Sequence, residues 1–151
     1  MEFEGGLRIK GVATITLRDP ETGVEETSVY PNMVVNTGLN HLLERWIGTA
    51  GVNPVAYLAT GTGTGTVDAS DTAMWNELTR KAVTAASVSG NVLTYRVYFT
   101  TAESIGSISE LGLFDAPSGG TMIAHIAVSP AKAKTSAKEM LVDITHTVSR
   151  S

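Results

Sequence analysis

Ser109-Glu-Leu-Gly-Leu-Phe-Asp-Ala-Pro-Ser-Gly-Gly120, running on into Thr121-Met-Ile-Ala-His-Ile-Ala-Val128, decides the class of fold. Ile108 to Phe114 and Met122 to Val128 are short apolar runs, and Pro117-Ser-Gly-Gly120 between them is turn chemistry. Proline presets φ, and glycine takes the positive φ that a tight return needs. The stretch therefore predicts two antiparallel strands joined by a hairpin.

The same grammar recurs outward from it. Ile9, Gly11, Ala13, Ile15 and Leu17 alternate with Arg8, Lys10, Val12, Thr14, Thr16 and Arg18. That period of two predicts a strand. Asp19-Pro-Glu-Thr-Gly23 reads as its turn, and Val24 to Tyr30 as the returning strand. Exposed charges at Arg18, Glu25 and Glu26 discourage uncontrolled edge pairing. Val55 to Ala59 reads as a buried strand and Lys81 to Val88 as another. Ser89-Gly90-Asn91 is a hairpin turn, and Val92 to Thr100 follows with Leu93, Tyr95, Val97 and Phe99 on one face. Ser129 to Lys138 carries Lys132, Lys134 and Lys138 without an acid, and reads as an exposed connection. Met140 to Val148 is the last strand.

Two segments read as helix. Leu39, Leu42, Leu43, Trp46 and Ile47 recur at helical spacing and form one apolar stripe, which predicts a helix packed by that stripe on a sheet. Asn36 or Thr37 is suited to cap its start and Gly48 to stop it. Thr72 to Leu78, with Met74, Trp75 and Leu78 as apolar contacts and Asp71 as cap, predicts a second short helix. About eight strands without a βαβ rhythm predict a mainly β, antiparallel sandwich or barrel-like fold (jelly-roll or β-tulip-like), with one or two short helices packed on it.

The chain has 151 residues, no cysteine, 17% charged residues and a net charge of −4. That length suits one domain able to bury its own core. Residues 1–7 read as an acidic, glycine-bearing arm and 8–151 as one β-rich domain. Absence of cysteine excludes disulfides, thiolate metal sites and thiol catalysis. The acidic balance argues against nucleic acid as a partner. No apolar run approaches the roughly 20 residues of a membrane span, and the N-terminus lacks a signal-peptide pattern. The expectation is a chain made in a cytoplasm and soluble there until it meets a partner.

The same residues bear on several chemistries. Gly61-Thr-Gly-Thr-Gly65 lacks the third glycine of a dinucleotide fingerprint, because Thr66 stands there, and lacks the Gly-Lys-Ser/Thr of a Walker loop. A tight or flexible connection is the better reading. Asp68, Asp71 and Asp115 do not have the spacing of a calcium loop. His41, His125 and His146 are far apart in sequence. No Gly-x-Ser-x-Gly elbow is present. His41 falls on the helix side away from the stripe, which predicts a solvated ring. His125 and His146 fall in strands and read as structural. Glu110, inside an apolar strand, reads as a carboxylate bonded to a loop or to Arg80 in preference to a raised-pKa acid. No catalytic, cofactor or metal residue is expected, and the expectation is a protein without enzymatic activity.

Four segments recur in the same order in a known group of proteins: Asn36-Thr-Gly-Leu-Asn-His-Leu-Leu43, Leu58-Ala-Thr-Gly-Thr-Gly-Thr-Gly65, Asn76-Glu-Leu-Thr-Arg80 and Glu110-Leu-Gly-Leu-Phe-Asp115. With them the chain resembles small virion domains of tailed bacteriophages. These are head decoration (cement) proteins and the attachment domains at the base of tail fibres and collars. In that setting Leu111, Leu113 and Phe114 supply core and interface, Gly112 permits close backbone approach, and Asp115 with Gly119 and Gly120 makes the turn. Fibre attachment domains lead into a repetitive shaft, and none follows before Ser151. The resemblance therefore implies a decoration protein on the capsid surface. It would be a homotrimer bound to the major capsid protein, and Met1, Glu2, Phe3, Glu4, Gly5, Gly6 and Leu7 would reach onto the capsid or a neighbouring subunit. A small tail, collar or fibre-adaptor protein is the alternative it implies. A carbohydrate-binding module is a distant third, thinly supported by Trp46, Trp75 and the four tyrosines.

Overall fold

A computed structural model describes residues 5–151. Nine strands form one antiparallel sheet: β1 (Leu7–Arg18), β2 (Glu25–Val34), β3 (Tyr57–Gly61), β4 (Glu77–Ala82), β5 (Ala85–Ser89), β6 (Val92–Phe99), β7 (Gly106–Phe114), β8 (Met122–Lys134) and β9 (Glu139–Arg150). One helix among the described residues, α1 (Asn36–Trp46), lies between β2 and β3. The order across the sheet is β4-β3-β7-β8-β2-β1-β9-β6-β5.

That order makes the sheet curl. β4 and β5 are its two opposite edges, yet only Val83 and Thr84 separate them in sequence. Such a link spans at most about 10 Å, so the edges approach each other at that end. The Val83 amide donates to the Ala56 carbonyl beside β3, and the Thr84 amide to the Arg96 carbonyl on β6, each at 2.8 Å. The result is a half-barrel. The single strand expected over Lys81–Val88 is therefore two strands on opposite edges. A local pattern of alternation has no means of showing that the chain changes edge in mid-run.

The concave face is the core. Alternate residues of β1 (Ala13, Ile15, Leu17), β6 (Tyr95, Val97, Phe99) and β9 (Met140, Val142, Ile144) meet Ile108, Leu111, Leu113, Ile126 and Val128 inside. Period two is the direct cause, since alternate side chains share a face. Each fully buried Leu, Ile or Phe contributes roughly 1.5–3 kcal/mol. β7 is buried on both faces from Ile108 to Phe114. The residues 62–76 cover its convex side, where Phe114, Met122, Val35 and Ala59 form a second small cluster with Met74.

The first turn and the hairpin form as read. Asp19 Oδ1 accepts the amides of Glu21 and Thr22, Gly23 takes φ +74°, and β1 pairs with β2 from Gly11↔Asn32 to Arg18↔Glu25. β7 and β8 pair across Pro117–Gly120.

Three local readings change. The second helix does not form: residues 72–76 are irregular and run into β4 at Glu77. The amides of Trp75 and Asn76 are turned onto the Glu110 side chain instead of onto helical carbonyls. Ser129–Lys134 is the second half of β8 and not a connection, although Ser129, Pro130, Ala131 and Ala133 are exposed as expected. The Lys134 ammonium is buried there, donating to the carbonyls of Thr100 (3.0 Å), Thr135 (3.2 Å) and Thr101 (3.4 Å). Burial pushes its pKa down. Leu7 is not arm: it opens β1, paired with Arg150, and the Gly6 carbonyl accepts the Ser151 amide. Of the expected arm, Gly5 and Gly6 precede the strand, and Met1, Glu2, Phe3 and Glu4 lie outside the described residues.

Candidate functional site

Three of the four recurring segments meet at one buried carboxylate: the glycine loop, the Asn76 segment and the strand that carries it. Glu110 projects from β7 to the convex side, with none of its surface exposed. Its Oε2 accepts the amides of Gly63 (3.0 Å) and Asn76 (2.7 Å), and its Oε1 accepts the amide of Trp75 (2.8 Å). His125 Nε2 on β8 lies 3.0 Å from the same Oε1, and His125 Nδ1 lies 2.7 Å from Asp71 Oδ2. Asp71 is thus not a helix cap; its Oδ2 also accepts the Asp68 amide. The Trp75 ring packs on the His125 ring with centroids 4.5 Å apart.

The glycine–threonine loop owes its composition to this cluster. A Cβ on Gly63 would sit 2.4 Å from Trp75 Cβ and 2.6 Å from Glu110 Oε2, and one on Gly61 2.6 Å from the Asn76 carbonyl oxygen. Such distances exclude any side chain there. The loop is a tight connection packed against β7, with the Gly63 amide turned inward to a carboxylate of the same chain. Ser109 Oγ adds a bond to the Gly63 carbonyl.

Arg80 ties the same region to the hairpin. Its guanidinium lies 3.7 Å over the Phe114 ring, pairs with both Glu77 oxygens and donates to the carbonyls of Ala116 (3.0 Å) and Gly119 (2.8 Å). Glu110 therefore takes the loop role expected of it, and Arg80 takes a different one. Asp115 Oδ1 accepts the Thr121 amide at 2.7 Å, and Gly119 and Gly120 take φ +58° and +73°. Gly112 stands against Met74 Sδ, where a Cβ would come within 2.6 Å. Leu111, Leu113 and Phe114 are wholly interior. They are core and offer no surface to a partner.

The Asp71–His125–Glu110 line has the outline of a proton relay, but its geometry is that of a staple. Both ring nitrogens of His125 face carboxylates, so neither is free for a substrate, as a general base requires. Three amides occupy Glu110. Sequence reasoning identified Glu110 and missed Asp71, Trp75 and His125 as its partners. The available signal was a carboxylate within an otherwise apolar strand, which has to be paired if it is buried.

The helix is positioned by the face opposite to the one expected. Gly38 is pressed on β8: a Cβ there would fall 2.1 Å from the Ile123 carbonyl oxygen. Thr37 Oγ1 donates to the Met122 carbonyl at 2.6 Å and caps nothing; the N-cap residue is Val35, without a side-chain bond. Gly48 does close the helix, at φ +69°. His41 is buried, not solvated. Its Nε2 lies 2.7 Å from the Asn53 carbonyl and 3.4 Å from Asp115 Oδ2. Gly38 and His41 are one helical turn apart, and the missing side chain at Gly38 lets the helix backbone approach the β8 backbone there.

The apolar stripe is consequently turned outward. Leu39 is 42% exposed, Leu43 55%, Trp46 65% and Ile47 82%. With Leu7, Pro31 and Met33 it borders an open groove of about 840 Å³. A second apolar cavity, of about 530 Å³, lies on the other side of α1, toward Leu93 and Tyr95, with His146 on its wall. Burial pushes the His146 pKa down to about 4, and Asn32 Nδ2 donates to its Nε2 at 2.7 Å. Among the described residues no cluster of His, Asp or Glu is arranged to hold a metal ion, and no helix is long and apolar enough to cross a membrane.

No curated protein and no solved structure matches the chain. Residues 31–148, from within β2 to near the end of β9, match the family described as Podophage GP4 fiber I protein gp80, and the chain belongs to that family of bacteriophage virion proteins.

Proposed function

We propose that this chain is a structural subunit of the phage tail, built into or beside a fibre, which works by binding other virion subunits and performs no chemistry. The observation that supports this most is the family match over residues 31–148, because the family is named for a fibre. The architecture is consistent with it. The polar cluster most like an active site is spent on holding loops, while one face of the helix exposes Leu39, Leu43, Trp46 and Ile47. Large apolar patches on folded domains mark interaction sites. Self-association into a homo-oligomer, expected from sequence as a trimer, belongs to the same reading.

Decoration of the capsid through the major capsid protein is the second reading, one of the two that the resemblance carried by the four segments implies. Copy number separates the two. Quantitative mass spectrometry of purified particles, against the major capsid protein, should find the chain far below one copy per capsid subunit. A ratio near one would replace the fibre assignment with decoration. Absence from particles would end both.

A further inference from the structure

The exposed face of α1 points to a particular occupant. Leu39, Leu43 and Trp46 are spaced four then three residues apart, the spacing by which one helix presents a seam to another. All three are exposed, and they stand on a helix whose buried residues, Gly38 and His41, lie on the other side. The seam is uncharged, and so are its flanks, Asn40, Leu42 and Ile47. At about 100° per residue, Glu44 and Arg45 lie well round the helix. Asn40 Nδ2 donates to Glu44 Oε1, and Arg45 Nη1 to the Val52 carbonyl.

We propose that α1 is a self-association seam: copies of this chain pack Leu39, Leu43 and Trp46 against the same residues of a neighbour about a shared symmetry axis. Two features of the face favour a second copy over another partner. A neutral face meets its own copy without like-charge repulsion, whereas the chain as a whole carries a net charge of −4. It also offers a charged partner no complementary group. Symmetric oligomers bring identical patches together in this way, and a central tryptophan is the residue type that dominates such interfaces. Pro31 and Met33 of β2 widen the patch beside the seam. The proposal rests on the assembly reading and adds the surface and the occupant.

The absence of cysteine makes the test direct. The full-length chain, Leu43→Glu and Trp46→Glu are compared by analytical ultracentrifugation at about 50 µM, a range that reads micromolar self-association. In parallel, Leu43→Cys is oxidised under mild conditions beside Val88→Cys, an exposed control on β5. The parent should sediment as an oligomer. Each glutamate variant should weaken association by about thirtyfold or more while keeping the β-sheet circular dichroism. Leu43→Cys should cross-link to a covalent dimer and Val88→Cys should not. A monomeric parent overturns the proposal. So does a folded Leu43→Glu that keeps the parent's state, or a Leu43→Cys that fails to cross-link. If a glutamate variant misfolds, the cysteine pair decides. A monomeric chain found on tails would sink the seam and spare the assembly reading. An oligomer absent from particles would do the reverse.

Discussion

The Oε1 atom of Glu110 lies 3.0 Å from Nε2 of His125, and neither side chain has any exposed surface. Around this pair close the glycine loop at Gly63, the backbone of Trp75 and Asn76, and Asp71. A buried carboxylate is tolerated only when its bonds are complete, so this contact makes the cover of β7 one cooperative unit.

Glu110→Gln should be among the most damaging conservative changes in the chain. It keeps the shape but sets an amide NH2 among groups that donate. Breaking one side of a buried ionic cluster costs about 3–5 kcal/mol. Urea denaturation would measure it, and a loss under about 1 kcal/mol would show that the cluster is not a staple.

Gly38→Ala tests how α1 is held. Its Cβ would meet the Ile123 carbonyl at 2.1 Å, so the helix has to lift off β8. A loss of about 1–3 kcal/mol is expected, with faster amide exchange confined to α1. Gly5→Ala, which meets nothing within 4 Å, should change neither.

Arg80→Lys should loosen the β7–β8 hairpin although it preserves charge. The planar guanidinium stacks on Phe114 while bonding Glu77 and two turn carbonyls, and an ammonium has no such fork. We expect roughly 1–2 kcal/mol and increased exchange at Ala116–Gly120. Unchanged exchange there would count against the clamp.

Acid should weaken the fold through His146. Its folded pKa is lowered by burial, from 6.5 to about 4. The folded ring therefore stays neutral while the unfolded ring takes a proton. That contribution is complete above pH 6.5 and is lost as pH falls from 6.5 toward 4, by about 3 kcal/mol at most. Below pH 4.5, Glu103 adds a second loss, because the Lys81 ammonium bonded to it and the Thr100 amide hold its pKa at about 2. His146→Gln should flatten stability between pH 6.5 and 4.5 and leave the steeper fall below. A slope unchanged in the variant would assign the acid sensitivity elsewhere.

The sequence by itself determined what is local. Alternation over Ile9–Leu17 and Leu93–Phe99, the turns at Asp19–Gly23 and Pro117–Gly120, and the paired runs around Ser109–Val128 follow from side-chain period and from the conformations open to proline and glycine. They led to a mainly β, antiparallel sandwich or barrel-like fold, and the structure is an antiparallel half-barrel. The expected role of Glu110 was legible too, because a carboxylate in an apolar strand must find donors.

Only the tertiary structure decided the rest. An apolar stripe at Leu39–Ile47 is the same signal whether it meets a core or another molecule, and a contact between Gly38 and a carbonyl leaves no hydrophobic trace in a sequence. Thr72–Leu78 has helical spacing, yet Glu110, thirty-odd residues on, captures its amides. Lys134 looks like a surface lysine until three carbonyls converge on it. In each case the deciding partner lies far along the chain, and the free energy of that contact outweighs the local preference.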